Sequence, residues 1–226
     1  MTTKPARAGR AGARRRDAAA TREALLAAGA ELFAERGYDG VPVAAIAARA
    51  RVNKAMISYH FGGKRQLYLA IVTATFREIV GGVEQLAVSS RPAPEALREL
   101  VAMFGEMATR RYPHFCSMML REVVAGGKHL DPALIEQPAR LLGAVQRIVA
   151  RGVEAGDLRP VDPLLTHLSL VGSLVFFFAT TRFRERVLTT RRPAIKPPDA
   201  SQYVKHVQDL LTHGLAAERP RARNRA

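Results

Sequence analysis

Apolar residues recur at helical spacing along most of the chain, and no run of useful length alternates with the period of two that a half-buried strand needs. Leu25, Ala28, Leu32 and Phe33 fall on one face of a helix predicted over 17–36, with Gly37 placed to end it. A shorter helix follows over Val43–Ala50, its Ile46 and Ala47 turned inward. Asn53 can offer a side-chain oxygen to the orphan amides of a third helix over 54–61, which Gly62-Gly63 breaks. The fourth helix, Lys64–Val88, carries Leu67, Ile71, Val72, Phe76 and Val80 as its apolar stripe.

After a Ser/Pro linker at 89–94, the pattern predicts an amphipathic helix over 95–112 and a short one opened by Pro113 and running to 124. Gly126-Gly127 is a break. Asp131-Pro132 reads as a cap followed by a first-turn proline, and Pro138 kinks or restarts a helix that continues to 155. Asp162-Pro163 repeats the device and opens a strongly apolar helix to about residue 183. A proline-rich loop, 191–198, precedes the last helix over 199–217. The fold class is all-α, with no internal repeat and no glycine-rich phosphate loop.

Charge narrows the partners. A net charge of +15 and a pI near 11 point to a polyanion, either nucleic acid or an anionic membrane surface. Much of it is crowded into residues 1–16 (Lys4, Arg7, Arg10, Arg14, Arg15, Arg16) and 218–226 (Arg219, Arg221, Arg223, Arg225), both expected to be disordered. These segments read equally as solvated tails or, for the first, as an arm on DNA phosphates. Residues 163–181 approach the length of a membrane span and are followed by Arg182, Arg184 and Arg186. His167 and several hydroxyls interrupt them, and a helix apolar on all sides suits an interior or a subunit interface equally well. No membrane partner is therefore expected. Cys116 is the single cysteine, so no intrachain disulfide can form. With no apolar secretory segment at the start, a cytoplasmic location is expected.

The stretch 38–68 carries the chemistry. A recognition helix must be slim enough to enter a major groove about 12 Å wide, and Ala55 and Ser58 are small. Lys54 suits a phosphate or a guanine, and Met56 a thymine methyl. Tyr59 and His60, at the helix end, can reach backbone oxygens, and Lys64 stands where a helix start also favours phosphate. Ile57 and Phe61 point the other way, toward Ile46, Phe33 and Leu67. Singly, Tyr59 could be a packing residue, His60 a helix-end cap and the lysines solvated charges; it is their convergence on one small surface that argues for DNA.

The runs ELFAERGYDG (31–40), AAIAARARVNKAMISYHF (44–61) and GGKRQLY (62–68) resemble the DNA-binding domain of the TetR family of bacterial transcriptional regulators. The resemblance implies a helix-turn-helix domain (17–63) and a helical effector-binding and dimerisation domain (64–217). It also implies a homodimer formed mainly by the last two helices and a repressor released from its operator by a small molecule. Three positions depart from the family pattern. Arg51 replaces the usual turn glycine, so either the turn differs or Arg51 compensates by contacting phosphate. Val43 stands for a common Thr or Ser, and Ser58 for a frequent Tyr. The DNA-binding set is therefore Val43, Arg51, Asn53, Lys54, Ala55, Met56, Ser58, Tyr59, His60 and Lys64.

Beyond the linker, Met103, Phe104, Met107, Phe115, Cys116, Met118, Met119, Phe176 and Phe177 are candidates for an adaptable effector pocket, or simply for core, and Arg121 and Glu122 read as a local ion pair, either of which could orient a polar ligand. Leu164, Leu168, Val171, Val175 and Phe178, with Tyr203, Val207, Leu210 and Leu211 of the last helix, would build a two-fold four-helix dimer interface. Such a dimer sets two recognition helices about one DNA turn apart, so the operator should be a palindrome. Scattered histidines lack metal-ligand spacing, and no catalytic grouping or cofactor loop is present, so neither metal, cofactor nor enzymatic activity is expected. The expected partners are a duplex operator, a second copy of the chain and a small-molecule effector of unknown identity. An activator of the same architecture and a sequence-independent DNA-binding protein are the alternatives.

Overall fold

Ten α-helices and no β-strand occur among the described residues; the all-α class is as the periodicity predicts, and the tenth helix arises where the apolar one breaks. The structure, a computed structural model, describes residues 6–190 and 195–217, and for 6–15 the backbone alone. The basic tail at 218–226 and part of the loop at 191–198 lie outside the described residues. By compactness the chain divides into two units. One comprises residues through Ala74 together with Arg121–Asp131; the other comprises Thr75–Leu120 and the chain from Pro132 onward. The division falls inside two helices rather than at the Gly62-Gly63 break.

In the first unit, α1 (Ala6–Arg36) starts well before the expected position. Of the segment expected to be a disordered arm, residues 6–16 are helical, and 1–5 lie outside the described residues. The reason is compositional: alanine and arginine are strong helix formers, so the basic sequence ahead of Asp17 prolongs the helix. α1 packs against α2 (Val43–Ala50) and α3 (Ala55–Phe61). Leu25, Leu32, Phe33, Val41, Ile46, Ile57 and Leu67 are buried between these helices and the start of α4 (Lys64–Val88). Ser58 O accepts from the Gly62 amide at 2.9 Å, and Gly62 takes φ 80°, so the chain leaves α3 through a left-handed glycine and turns into α4.

In the second unit, α5 (Ala93–Glu106) continues into a π turn, Met107–Arg111, where one regular helix was expected. α6 (Phe115–Val124) and α7 (Pro132–Glu154) follow. Pro138 lies inside α7 and does not interrupt it, because one missing amide is tolerated by a helix otherwise anchored on Leu134, Leu141, Val145, Ile148 and Val149. α5 packs against α7 and α10 (Ala200–Leu215), and α7 against α8 (Pro163–Ala179). Asp162 caps α8 by accepting from the Leu165 amide at 2.9 Å, and Asp199 forms a capping box with Gln202 at the start of α10.

The apolar helix is shorter than expected. It stops at Ala179, and α9 (Thr181–Thr190) leaves at 68°. Side chains crowd onto the last carbonyls of α8, where Phe176 O also keeps the Thr180 amide at 3.1 Å. Thr180 Oγ1 donates to Phe176 O at 2.7 Å, and Arg184 Nη1 donates to Phe177 O at 2.7 Å. Among the described residues no single helix is long and apolar enough to cross a membrane; α8 and α9 pass that test only as this bent pair.

Candidate nucleic-acid interface

The helix-turn-helix is held by a tight junction. Arg51 closes α2 in the left-handed region, φ 57° and ψ 39°, while its amide bonds Ala48 O at 3.1 Å and the Val52 amide bonds Ala47 O at 3.0 Å. The turn is thus made with arginine in the conformation that normally calls for glycine, and its side chain is exposed. Asn53 then caps the next helix, its Oδ1 accepting from the Ala55 amide at 2.9 Å. Ile57 is fully buried beneath α3, which fixes the rotation of that helix.

With Ile57 inward, Arg51, Asn53, Lys54, Ala55, Ser58 and Tyr59 share the exposed side, and Tyr59 is 76% exposed. Met56 and His60 are half-buried or at its edges, and the Tyr59 and His60 rings meet edge to face at 5.0 Å. Val43 is half-buried at the start of α2, where Pro42 supplies no side-chain cap. Lys64 is used internally: its Nζ lies 4.4 Å from the centre of the Tyr38 ring. The neighbouring Arg65, absent from the sequence-derived set, is exposed instead. Phe61 is half-buried under the Arg22 guanidinium, 5.1 Å from its ring centre. The outer face of α3 and the turn before it therefore offers cations, hydroxyls, an amide and an apolar rim, while Arg49 on α2 is paired with Glu31. Such a mixture has the chemistry that base edges and phosphates require.

In the second unit Phe104, Met107, Phe115, Cys116, Met118, Met119 and Phe177 are buried and Met103 is half-buried. Phe176 does not join them; it is 63% exposed, because one residue's rotation along α8 carries it away from the side that Phe177 occupies. Arg121 is likewise elsewhere, donating to the Ala34 and Glu35 carbonyls in the first unit. Burial pushes the Cys116 thiol up to about 12, so it rests as a thiol. His167, expected only as a polar interruption of the apolar helix, is a buried feature of this unit. Its ring is buried, its Nδ1 has no hydrogen-bond partner among the described residues, and burial holds its pKa below the usual imidazole value. Phe177 stacks face to face on Tyr203 at 3.7 Å and carries the Arg184 guanidinium at 3.7 Å, while Tyr203 donates to Ser173 O at 3.1 Å. No group of three metal-ligating side chains occurs among the described residues.

Of the residues assigned to a dimer face, Leu164, Leu168 and Leu210 are exposed, and Val171, Val175, Phe178, Tyr203 and Leu211 are half-buried. Val207 is buried at 6% within its own chain, since α10 packs against α5 and that position turns inward. The outer side of α8 and α9 instead adds Leu165, Phe176, Phe183 and Val187, all exposed. Burial of Thr166, His167, Leu170, Leu174 and Phe177 sets that rotation.

Comparison with known proteins agrees with this architecture. Residues 25–71 match the family described as bacterial regulatory proteins, tetR family, and residues 94–211 match the tetracyclin repressor-like C-terminal domain. The HTH-type transcriptional repressor NicS of Pseudomonas putida is 27% identical over 207 residues, covering 90% of this chain and 96% of NicS. Among solved structures, the TetR family regulator PfmR of Thermus thermophilus is similar with a TM-score of 0.66 and 26% identity, over 86% of this chain and 99% of PfmR. AibR, solved in complex with isovaleryl coenzyme A and operator DNA, shares the fold at a TM-score of 0.63 and 20% identity, over 87% of this chain and 98% of AibR. Two domain matches spanning most of the chain, on a helix-turn-helix and a helical unit with this geometry, show that the protein belongs to the TetR family of DNA-binding transcriptional regulators.

Proposed function

We propose that the protein is a repressor that binds a palindromic operator as a homodimer and leaves it when a small molecule enters its second unit. The observation that carries this reading is the two-sidedness of α3. Ile57 anchors one side in the core, while Arg51, Lys54, Ser58 and Tyr59 stand together in solvent on the other. The exposed apolar strip of Leu165, Leu168 and Phe176 on α8, continued by Phe183 and Val187 on α9, supports pairing with a second copy. Pairing would give a two-fold operator with one recognition helix per half-site.

The effector reading is supported by the soft, apolar interior of the second unit and by the unpartnered Nδ1 of His167. An effector with an apolar body and one hydrogen-bonding group suits that interior. AibR, of the same fold, was solved with an acyl-coenzyme A, which makes short acyl-coenzyme A thioesters the first probes to try. Ligand binding would tilt α4, which leads directly out of the helix-turn-helix, and move the two reading heads. Only a ligand that prefers the released state can do this.

The test begins by selecting bound fragments from genomic DNA with purified protein. A fragment containing an inverted repeat should emerge. On that fragment, Tyr59→Ala should weaken binding by about 1–3 kcal/mol with the dimer intact. Retention of full affinity by this variant, or equal affinity for unrelated DNA at raised salt, would overturn the reading.

A further inference from the structure

The last turn of α6 and the loop after it, Arg121–Asp131, belong by compactness with the DNA-binding helices, far from them in sequence. Four side chains make the attachment. Arg121 Nε and Nη2 donate to the carbonyls of Ala34 and Glu35, at 3.0 and 2.8 Å, in the last turn of α1. Glu122 is the buried carboxylate of the described core, 4% exposed. Its Oε1 accepts from the Tyr68 hydroxyl at 2.8 Å and lies 2.6 Å from His129 Nδ1, and its Oε2 takes the His129 amide at 3.4 Å. On the other side of the ring, His129 Nε2 is 3.3 Å from both oxygens of Asp39, to which Lys128 also donates at 2.8 Å. The Tyr38 ring packs on His129 at 4.5 Å and meets Tyr68 at 5.1 Å.

These contacts join the end of α1, the turn after it and the start of α4. Both nitrogens of His129 face carboxylates, so the ring bridges Glu122 and Asp39. Burial together with the Glu122 hydrogen bond raises the Tyr68 phenol well above the usual tyrosine value, keeping it a donor. A carboxylate this buried has few intermediate states: it is paired with Tyr68 and His129, or it must move to water. α6 is unbroken from Phe115 to Val124, and its first part belongs to the second unit while its last turn carries Arg121 and Glu122.

We infer that Glu122 and His129 are positioning residues for DNA reading: with Arg121 and Lys128 they clamp the supports of α3, and through α6 they couple that grip to the state of the second unit. The inference rests on the repressor reading above. It adds which side chains carry the coupling, a step that neither the fold nor any likeness to other regulators supplies.

The test uses the full-length protein and a labelled DNA fragment selected by the wild type from a random-sequence pool. Glu122→Gln keeps the size of the side chain and can still accept from Tyr68, and His129→Gln replaces the more accessible partner should the first variant fold poorly. Each should lower affinity for the selected fragment by roughly five- to fifty-fold, within the usual range of a coupling between sites. The double variant should be little worse than either, since both break one network. Coupling is reciprocal, so DNA should slow amide exchange over residues 115–120 in the wild type, and that protection should vanish in the variants. Variants that bind like wild type overturn the clamp. So do variants that lose affinity yet keep the DNA-induced protection, because the role would then be structural only. A wild type that selects no sequence overturns the repressor reading and the clamp with it, whereas selection by the wild type with unchanged variants removes the clamp alone.

Discussion

Arg51 shows how a single residue can depart from the expected chemistry without changing the backbone it occupies. It is the non-glycine residue with positive φ among the described residues, and the turn it makes keeps both closing hydrogen bonds. An L-residue in the left-handed region costs about 1 kcal/mol. Arg51 takes the left-handed conformation that glycine would take there. Arg51→Gly should raise the free energy of unfolding in urea by about 0.5–1 kcal/mol, the strain relief offset in part by a more flexible unfolded chain. If the exposed guanidinium holds a phosphate in each half-site of the proposed dimer, the same variant should reduce the slope of log affinity against log salt by about 2, roughly one per lost contact. Lys64 makes the opposite point. Its charge was legible in the sequence, but its place over the Tyr38 ring was not, because that contact depends on where the turn after α1 returns.

At the level of elements, start and stop signals were read well where they are local. The Asp-Pro start of α8 acts within one turn, and α4 and α2 occupy the ranges that their apolar stripes predict. Signals that depend on other segments were missed. The break between α8 and α9 comes from hydroxyl and guanidinium competition for carbonyls, and the linker after α4 is tied down from a distance. Arg151 of α7 donates to the carbonyls of Ala87, Ser89 and Arg91 at 2.8, 2.9 and 3.1 Å. Beside it, a Cβ at Gly152 would stand 2.5 Å from Ala93 Cβ and 2.6 Å from Leu158 Cδ1, so α7 and the start of α5 meet only across a glycine. Gly152→Ala should therefore destabilise the fold by about 1–3 kcal/mol, read as a lower denaturant midpoint with unchanged slope. An unchanged midpoint would mean that the two helices can separate at no cost.

For the whole molecule, the proposed pairing through the exposed strip on α8 and α9 would decide whether one reading head or two act together. Leu168 is 57% exposed in the middle of that strip. Leu168→Glu should convert the proposed dimer to a monomer by light scattering while the helical content stays intact. Affinity for the selected palindrome should fall by about 10²-fold or more, because the second half-site loses its effective concentration. A variant that remains dimeric would place the interface elsewhere.

From the sequence alone came the all-α class and most helix limits, because each depends on periodicity, capping and neighbours within a turn or two, and the family, through the resemblance of residues 31–68. Only the folded chain decided which side of α8 faces out, that Val207 turns inward and Phe176 outward, and that Arg121 serves the first unit. Those outcomes follow from helix rotation and from the return of distant segments. A strongly apolar helix has no polar face to mark its rotation, and a charged residue does not announce which remote carbonyl it will meet. The Glu122–His129 cluster illustrates this limit: its partners lie in separated stretches of the chain, and only tertiary structure brings them within hydrogen-bond reach.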